Sequence, residues 1–168
     1  MGPDLIHKEI VRRLSGRLDP EVFERCVSDV LRNIWPGLVP VPGGSDSGMD
    51  GAVADGEGPA FPLVATTDQH PIRNLTRSLK SYVKDGGKRR KVILATSQVL
   101  NQRRRRSLEE KAERLGFVLV QICDGTSIAD LLYRDPRWCK ELLGLRAYPI
   151  TPAARSVMYA QARCSIAV

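Results

Sequence analysis

Phe61 to Thr67 reads Phe-Pro-Leu-Val-Ala-Thr-Thr, an apolar run too short for a helix and with no polar alternation. Such a strand is covered on both faces, so the run predicts a central strand in a sheet with helices on both sides. Val92 to Ala95 predicts a second buried strand and Phe117 to Ile122 a further one. The segments after these runs have helical character. One helix is expected from about Ile72 to Val83, ended by Gly86-Gly87, and a strongly charged one from Asn101 to Leu115. Shorter helices are expected over Ser127 to Tyr133 and Arg137 to Leu143.

The N-terminal part is read the same way. Leu5, Ile6, Ile10, Val11 and Leu14 have helical spacing and stop at Ser15-Gly16. Asp19-Pro20-Glu21 is a helix start, with Asp19 as cap and proline in the first turn. That helix is expected to run through Phe23, Cys26, Val27, Val30 and Leu31 to Ile34, before Pro36-Gly37. Leu38 to Val41 is a short strand whose flanking prolines suggest an edge, and Asp50 to Ala54 is another. The expected order is α, β, β, β, α, β, α, β, α. The fold class is α/β, with a mixed sheet flanked by helices.

The 168 residues suit one domain over 1–145, with a core of about 19–132; the pattern fades over 146–168, a tail or the start of a further region. Cys26, Cys123, Cys139 and Cys164 are far apart and form no CxxC, so they read as reduced thiols. No apolar run approaches the roughly 20 residues of a membrane span, and Met1-Gly2-Pro3-Asp4 opens no signal peptide. A cytoplasmic protein is expected. Trp35 and Trp138 are expected in the core, and 5% aromatic content argues against a base-stacking platform.

The charge is lopsided. Lys80 to Arg106 holds ten basic residues and one acid, Asp85, so this segment carries +9 of a net +7 and the rest of the chain is −2. A one-sided basic field suggests a polyanion, and nucleic acid first. Lys84, Lys88, Arg89, Arg90, Arg103, Arg104 and Arg105 are the candidate DNA contacts. Arg103 to Arg106 also open a helix, the unfavourable end for cations, which hints at phosphate.

Gly43-Gly44-Ser45-Asp46-Ser47-Gly48-Met49-Asp50-Gly51 precedes the strand Asp50–Ala54. Glycine is used where φ is positive or the backbone passes close to something. An aspartate at a strand mouth behind such a loop is placed to hold a divalent cation. An EF-hand reading of Asp46 to Glu57 fails, because Gly48 lacks the oxygen needed at the third position and prolines flank the loop. A Walker loop fails for want of Lys-Ser/Thr.

Phe23-Glu24 on a helix, the Gly-Asp-rich loop ending at Asp50, and the following strand together resemble the restriction-endonuclease-like superfamily of PD-(D/E)XK nucleases, and within it the Mrr-like branch, over about Asp19 to Leu132. The resemblance implies a restriction-endonuclease-like αβββαβ core and a Mg²⁺- or Mn²⁺-dependent endonuclease acting on DNA, in restriction or anti-phage defence. It makes Asp50 the metal-binding aspartate, Glu24 a helical carboxylate facing the site, and Asp46 a supporting or loop-fixing group. It also implies a homodimer for two-strand cleavage, and an ATPase or sensor module as partner.

One part of the pattern is missing. The next strand should carry an acid or glutamine, one residue, then lysine; Val64 and Thr66 fall on those positions. Asp68 or Gln69 at the strand end is the substitute acid or amide, and Arg73, Arg77 or Lys80 on the next helix the substitute cation, with Lys80 foremost. Otherwise the domain binds DNA without cutting it. Thr66, Thr67, Thr96 and Ser97 end two strands and either line one cleft or serve local turns and caps. A nucleotide- or small-molecule-binding α/β protein is the reading from a different class.

Overall fold

The computed structural model describes residues 3–41 and 48–146. Asp46 and most of the glycine loop before it lie outside the described residues. Helices α1 (Pro3–Leu14) and α2 (Pro20–Leu31) precede three strands, β1 (Leu38–Pro40), β2 (Gly51–Val53) and β3 (Phe61–Thr66). Then come α3 (Pro71–Lys84), β4 (Lys91–Thr96), α4 (Gln102–Arg114), β5 (Val118–Cys123), α5 (Gly125–Leu132) and α6 (Pro136–Leu143). No helix among the described residues is long and apolar enough to cross a membrane.

The five strands lie in sequence order, β1 to β5. β2 is antiparallel to both its neighbours, whereas β3, β4 and β5 run parallel. β3 is buried along its whole length, as its unbroken apolar run requires. Leu63 and Ala65 face a core built by α1, α2, α5 and α6. Val64 faces the other core, with Leu75 and Leu79 of α3 and Leu108 of α4. The sheet is thus sandwiched between four helices and two.

β1 and β5 form the edges. Pro40, the last residue of β1, suits that place, since a missing N–H costs nothing on the side where no strand pairs. Asp19 caps α2 as read from sequence, accepting from the Val22 N–H at 3.1 Å, and Asn101, expected as the first residue of its helix, caps α4 by accepting from the Arg104 N–H at 2.9 Å. Asp124 and Asp135 cap α5 and α6 in the same manner.

Most boundaries shift by one or two residues from expectation; the end of α2 shifts most. α2 ends at Leu31, three residues before Ile34. The Ile34 and Trp35 N–H groups both bond back to the Leu31 carbonyl, closing the helix, and Ile34 is exposed. Trp35 is thereby freed to turn onto the sheet, where its ring meets Phe61 edge-on at 5.8 Å and its Nε1 donates to Gln121 at 2.6 Å. Packing of one indole overrides local helical periodicity. Trp138 is buried, as expected.

Candidate functional site

Asp50 stands immediately before β2, where the strand meets the glycine loop. Its N–H donates to the Leu63 carbonyl at 2.9 Å, and its Oδ2 accepts from the Ala65 N–H at 2.7 Å. These two bonds lock Asp50 onto β3, and its Oδ1 has no hydrogen-bond partner among the described residues. Gly48 explains the loop that delivers it. Its φ is +70°, and a Cβ there would overlap the Ser78 carbonyl oxygen of α3. The loop therefore rests directly on the α3 backbone, a close approach that only glycine permits.

Glu24 acts on Asp50 from the α2 layer. It is half-buried in the first half of α2. Burial first, and then the charges of Asp50, Glu21 and Asp19, push its carboxyl up to about 7. Asp50 is also raised, by burial, although the Ala65 N–H and the Arg77 charge pull it back. Two carboxylates with raised proton affinity thus lie within electrostatic reach of one another, Asp50 at the mouth of β2 and Glu24 on the α2 layer, with the Arg77 guanidinium of α3 acting on Asp50. Structural side chains are rarely arranged so; sites that hold cations or protons are.

The raised Glu24 has a consequence for stability. Between pH 4.5 and about 7 the folded protein keeps a proton that the unfolded chain has released, so stability falls as pH rises through that window. Glu24→Gln is expected to stabilise the fold above pH 7 by about 1 kcal/mol, a figure discounted for solvent screening at a half-exposed group, and to give no gain near pH 4. Urea denaturation at both pH values measures this; an equal effect at each would show that Glu24 carries no such proton.

The other expected ligands lie elsewhere. Asp50 is bonded to residues 63 and 65 of β3, and Asp68 stands three residues beyond Ala65, about 10 Å further along an extended chain. The Asp68 carboxylate accepts from the His70 N–H at 2.8 Å and faces Arg73 at 3.5 Å, and these contacts hold it below its usual range. Gln69 is exposed, and its carbonyl accepts from Arg104 at 2.8 Å. Lys80 is exposed on α3, whereas Arg77 is the cation that acts on Asp50. Among the described residues no three His, Cys, Asp or Glu side chains are grouped to hold a metal.

The missing pattern on β3 has a plain structural basis. Val64 is fully buried beneath α3, and Thr66 is 4% exposed. An acid and a lysine at these positions would be sealed in a hydrophobic layer. The strand-end hydroxyls form turns instead of lining a cleft. Thr66 Oγ1 accepts from the Asp68 N–H at 3.1 Å, Thr96 Oγ1 from the Gln98 N–H at 3.2 Å, and both Thr96 and Ser97 are fully buried. Thr67 alone of the four is partly open to solvent.

The basic segment divides in two. Arg89 grips Asp55 with both terminal nitrogens, at 3.1 and 2.7 Å, donates to the Pro59 carbonyl and lies 5.6 Å from the centre of the Phe61 ring. With the Glu57 N–H and Lys91 it drives Asp55 well below the usual carboxylate range. Arg90 folds over Phe117 and bonds the Gly87 carbonyl. Arg105 pairs with buried Asp124 at 2.7 Å. Burial raises Asp124, but the N–H groups of Ser127 and Leu100 and the Arg105 charge outweigh it and the net effect is a lowered pKa. These arginines hold turns and helix starts together. Lys80, Lys84, Lys88, Arg103 and Arg106 remain exposed, with no ion pair to a described residue.

Sequence reasoning named Arg77 only as one of three alternatives. Its distinction depends on how the Gly48 loop docks on α3, and periodicity carries no signal for that. No protein-family model, curated protein or solved structure matches this chain.

Proposed function

We propose that this chain is a metal-dependent endonuclease hydrolysing DNA phosphodiesters, built on a restriction-endonuclease-like αβββαβ core and serving restriction or anti-phage defence. The observation that carries the reading is Asp50, anchored on β3 at the mouth of β2, within the electrostatic reach of Glu24 and Arg77. The order α2, β1, β2, β3, α3, β4 is in keeping with it.

The donor set fits Mg²⁺ or Mn²⁺. Such ions take one or two carboxylates and fill their remaining positions with water and substrate phosphate oxygens. Asp50, through Oδ1, which has no partner among the described residues, and Glu24 would hold the ion, and their elevated proton affinity is the penalty that a cation relieves. When bound, the ion polarises a phosphoryl oxygen and lowers the pKa of a water molecule. The protein's own groups do the rest. Ala65 fixes the Asp50 carboxylate, the docked loop fixes its backbone, and Arg77 offers positive charge where negative charge develops in the transition state.

The buried Val64 and Thr66 favour a second reading, a DNA-binding module that does not cut. Supercoiled plasmid separates the two. Nicking by the purified chain with Mg²⁺ or Mn²⁺, abolished by EDTA, is the expected result. DNA binding without nicking would select the second reading.

A further inference from the structure

Among the described residues, the ion pairs leave the cations of α3 uncompensated. On α3, Arg73, Arg77, Lys80 and Lys84 recur at steps of four, three and four residues. This is one line along a helix, opposite the buried Leu75, Leu79 and Tyr82. All four are exposed. Arg77, Lys80 and Lys84 have no ion pair with a described residue, and the exposed Arg73 guanidinium pairs, among the described residues, only with the partly buried Asp68, at 3.5 Å. The helix contains no acid.

Like charges three and four residues apart repel; within α3 no acid offsets that, and only Lys84, in the last turn, gains from the helix dipole. The same chain neutralises Arg89, Lys91 and Arg105 with acids, so the open line on α3 stands out by contrast. At 1.5 Å per residue the line is about 16 Å long, enough to meet a few successive phosphates where one DNA strand runs alongside the helix. The only aromatic residue of α3, Tyr82, is buried, so the face offers charge and no stacking surface. The helix that carries these cations also carries the loop that delivers Asp50, because Gly48 rests on Ser78 and Tyr82.

We propose that the outward face of α3 is a track for the phosphate backbone of duplex DNA, with Arg73, Arg77, Lys80 and Lys84 leading one strand towards Glu24 and Asp50. The assignment rests on DNA being the substrate of that site, but it concerns binding and is tested apart from cleavage.

The test is fluorescence anisotropy of the full chain with a duplex of about 30 base pairs, in EDTA, over about 50 to 300 mM salt. The α3 triple variant Arg77→Gln/Lys80→Gln/Lys84→Gln is compared with Lys88→Gln/Arg103→Gln/Arg106→Gln. All six positions are exposed, and thermal denaturation confirms that both variants fold. The α3 variant is expected to bind at least tenfold more weakly at about 100 mM salt, and to lower the slope of log affinity against log salt by about 3. The second variant is expected to keep the slope of the wild type. An unchanged slope in the α3 variant, an equal loss in both, or a preference for single strands overturns the track. Plasmid nicking by the wild type, run alongside, keeps the two readings separate. Binding that depends on α3 without nicking removes the nuclease and keeps the track; nicking with no α3 dependence does the reverse.

Discussion

Asp50→Asn is expected to lower metal-dependent plasmid nicking by roughly 10³-fold or more, while Asp68→Ala changes it by no more than a few-fold. Asparagine keeps an oxygen for the Ala65 N–H, so the anchor onto β3 survives and only the charge is lost. Burial already raises the Asp50 pKa, so removing that charge should not destabilise the fold. The activity loss then reports chemistry, not unfolding, and unchanged denaturation curves would confirm it. Asp68 is the contrasting case. It sits past the end of β3, engaged with the His70 N–H and Arg73, about 10 Å along the chain from where Asp50 is anchored. If the outcomes were exchanged, with Asp68→Ala inactive and Asp50→Asn active, the site would lie at the end of β3 and not at the mouth of β2.

Gly48→Ala is expected to cost about 2–4 kcal/mol of stability, or to undock the loop and inactivate the protein. Two penalties act together. A φ of +70° costs an L-residue with a side chain about 1–2 kcal/mol. The new methyl also meets the Ser78 carbonyl, which is backbone of α3 and cannot swing aside. Gly56 makes the control. It too has a positive φ, +79°, but nothing lies within 4 Å of where its Cβ would be. Gly56→Ala should therefore show only the conformational penalty. Equal denaturation midpoints for the two variants would mean that the loop does not rest on α3.

Much of the architecture was legible because it follows from local physics. Phe61 to Thr67 has no polar face, so it had to be central, and β3 is buried throughout. Asp19-Pro20 and Asn101 start helices because their side chains accept N–H groups that the first turn leaves free. Trp35 shows where this stops. Its sequence neighbourhood continues the helical period of α2, but a ring packed on Phe61 and an N–H satisfied by Gln121, 86 residues away, decide otherwise.

The candidate site divides along the same line. Asp50 and Glu24 could be named from the motif, because a strand-mouth aspartate behind glycines carries its own chemical meaning. Arg77 could not be preferred over Lys80 or Arg73, because helical spacing places all three on one face. Likewise a run of arginines and lysines looks uniform in one dimension. Only in the fold does Arg89 reach back to Asp55, 34 residues away, and Arg105 across to Asp124, while Lys80 and Lys84 find no partner among the described residues.

The sequence by itself determined the net positive charge, a sum over all residues, and the order of the elements, the central place of β3 and the helix starts, which depend on residues within a few positions of one another. Tertiary structure alone decided where α2 stops, which cations remain free of described partners, and that Glu24 and Arg77 come within electrostatic reach of Asp50 from opposite layers. Those outcomes depend on contacts between distant segments, and the burial and field at a carboxylate come into being only when the layers close around it.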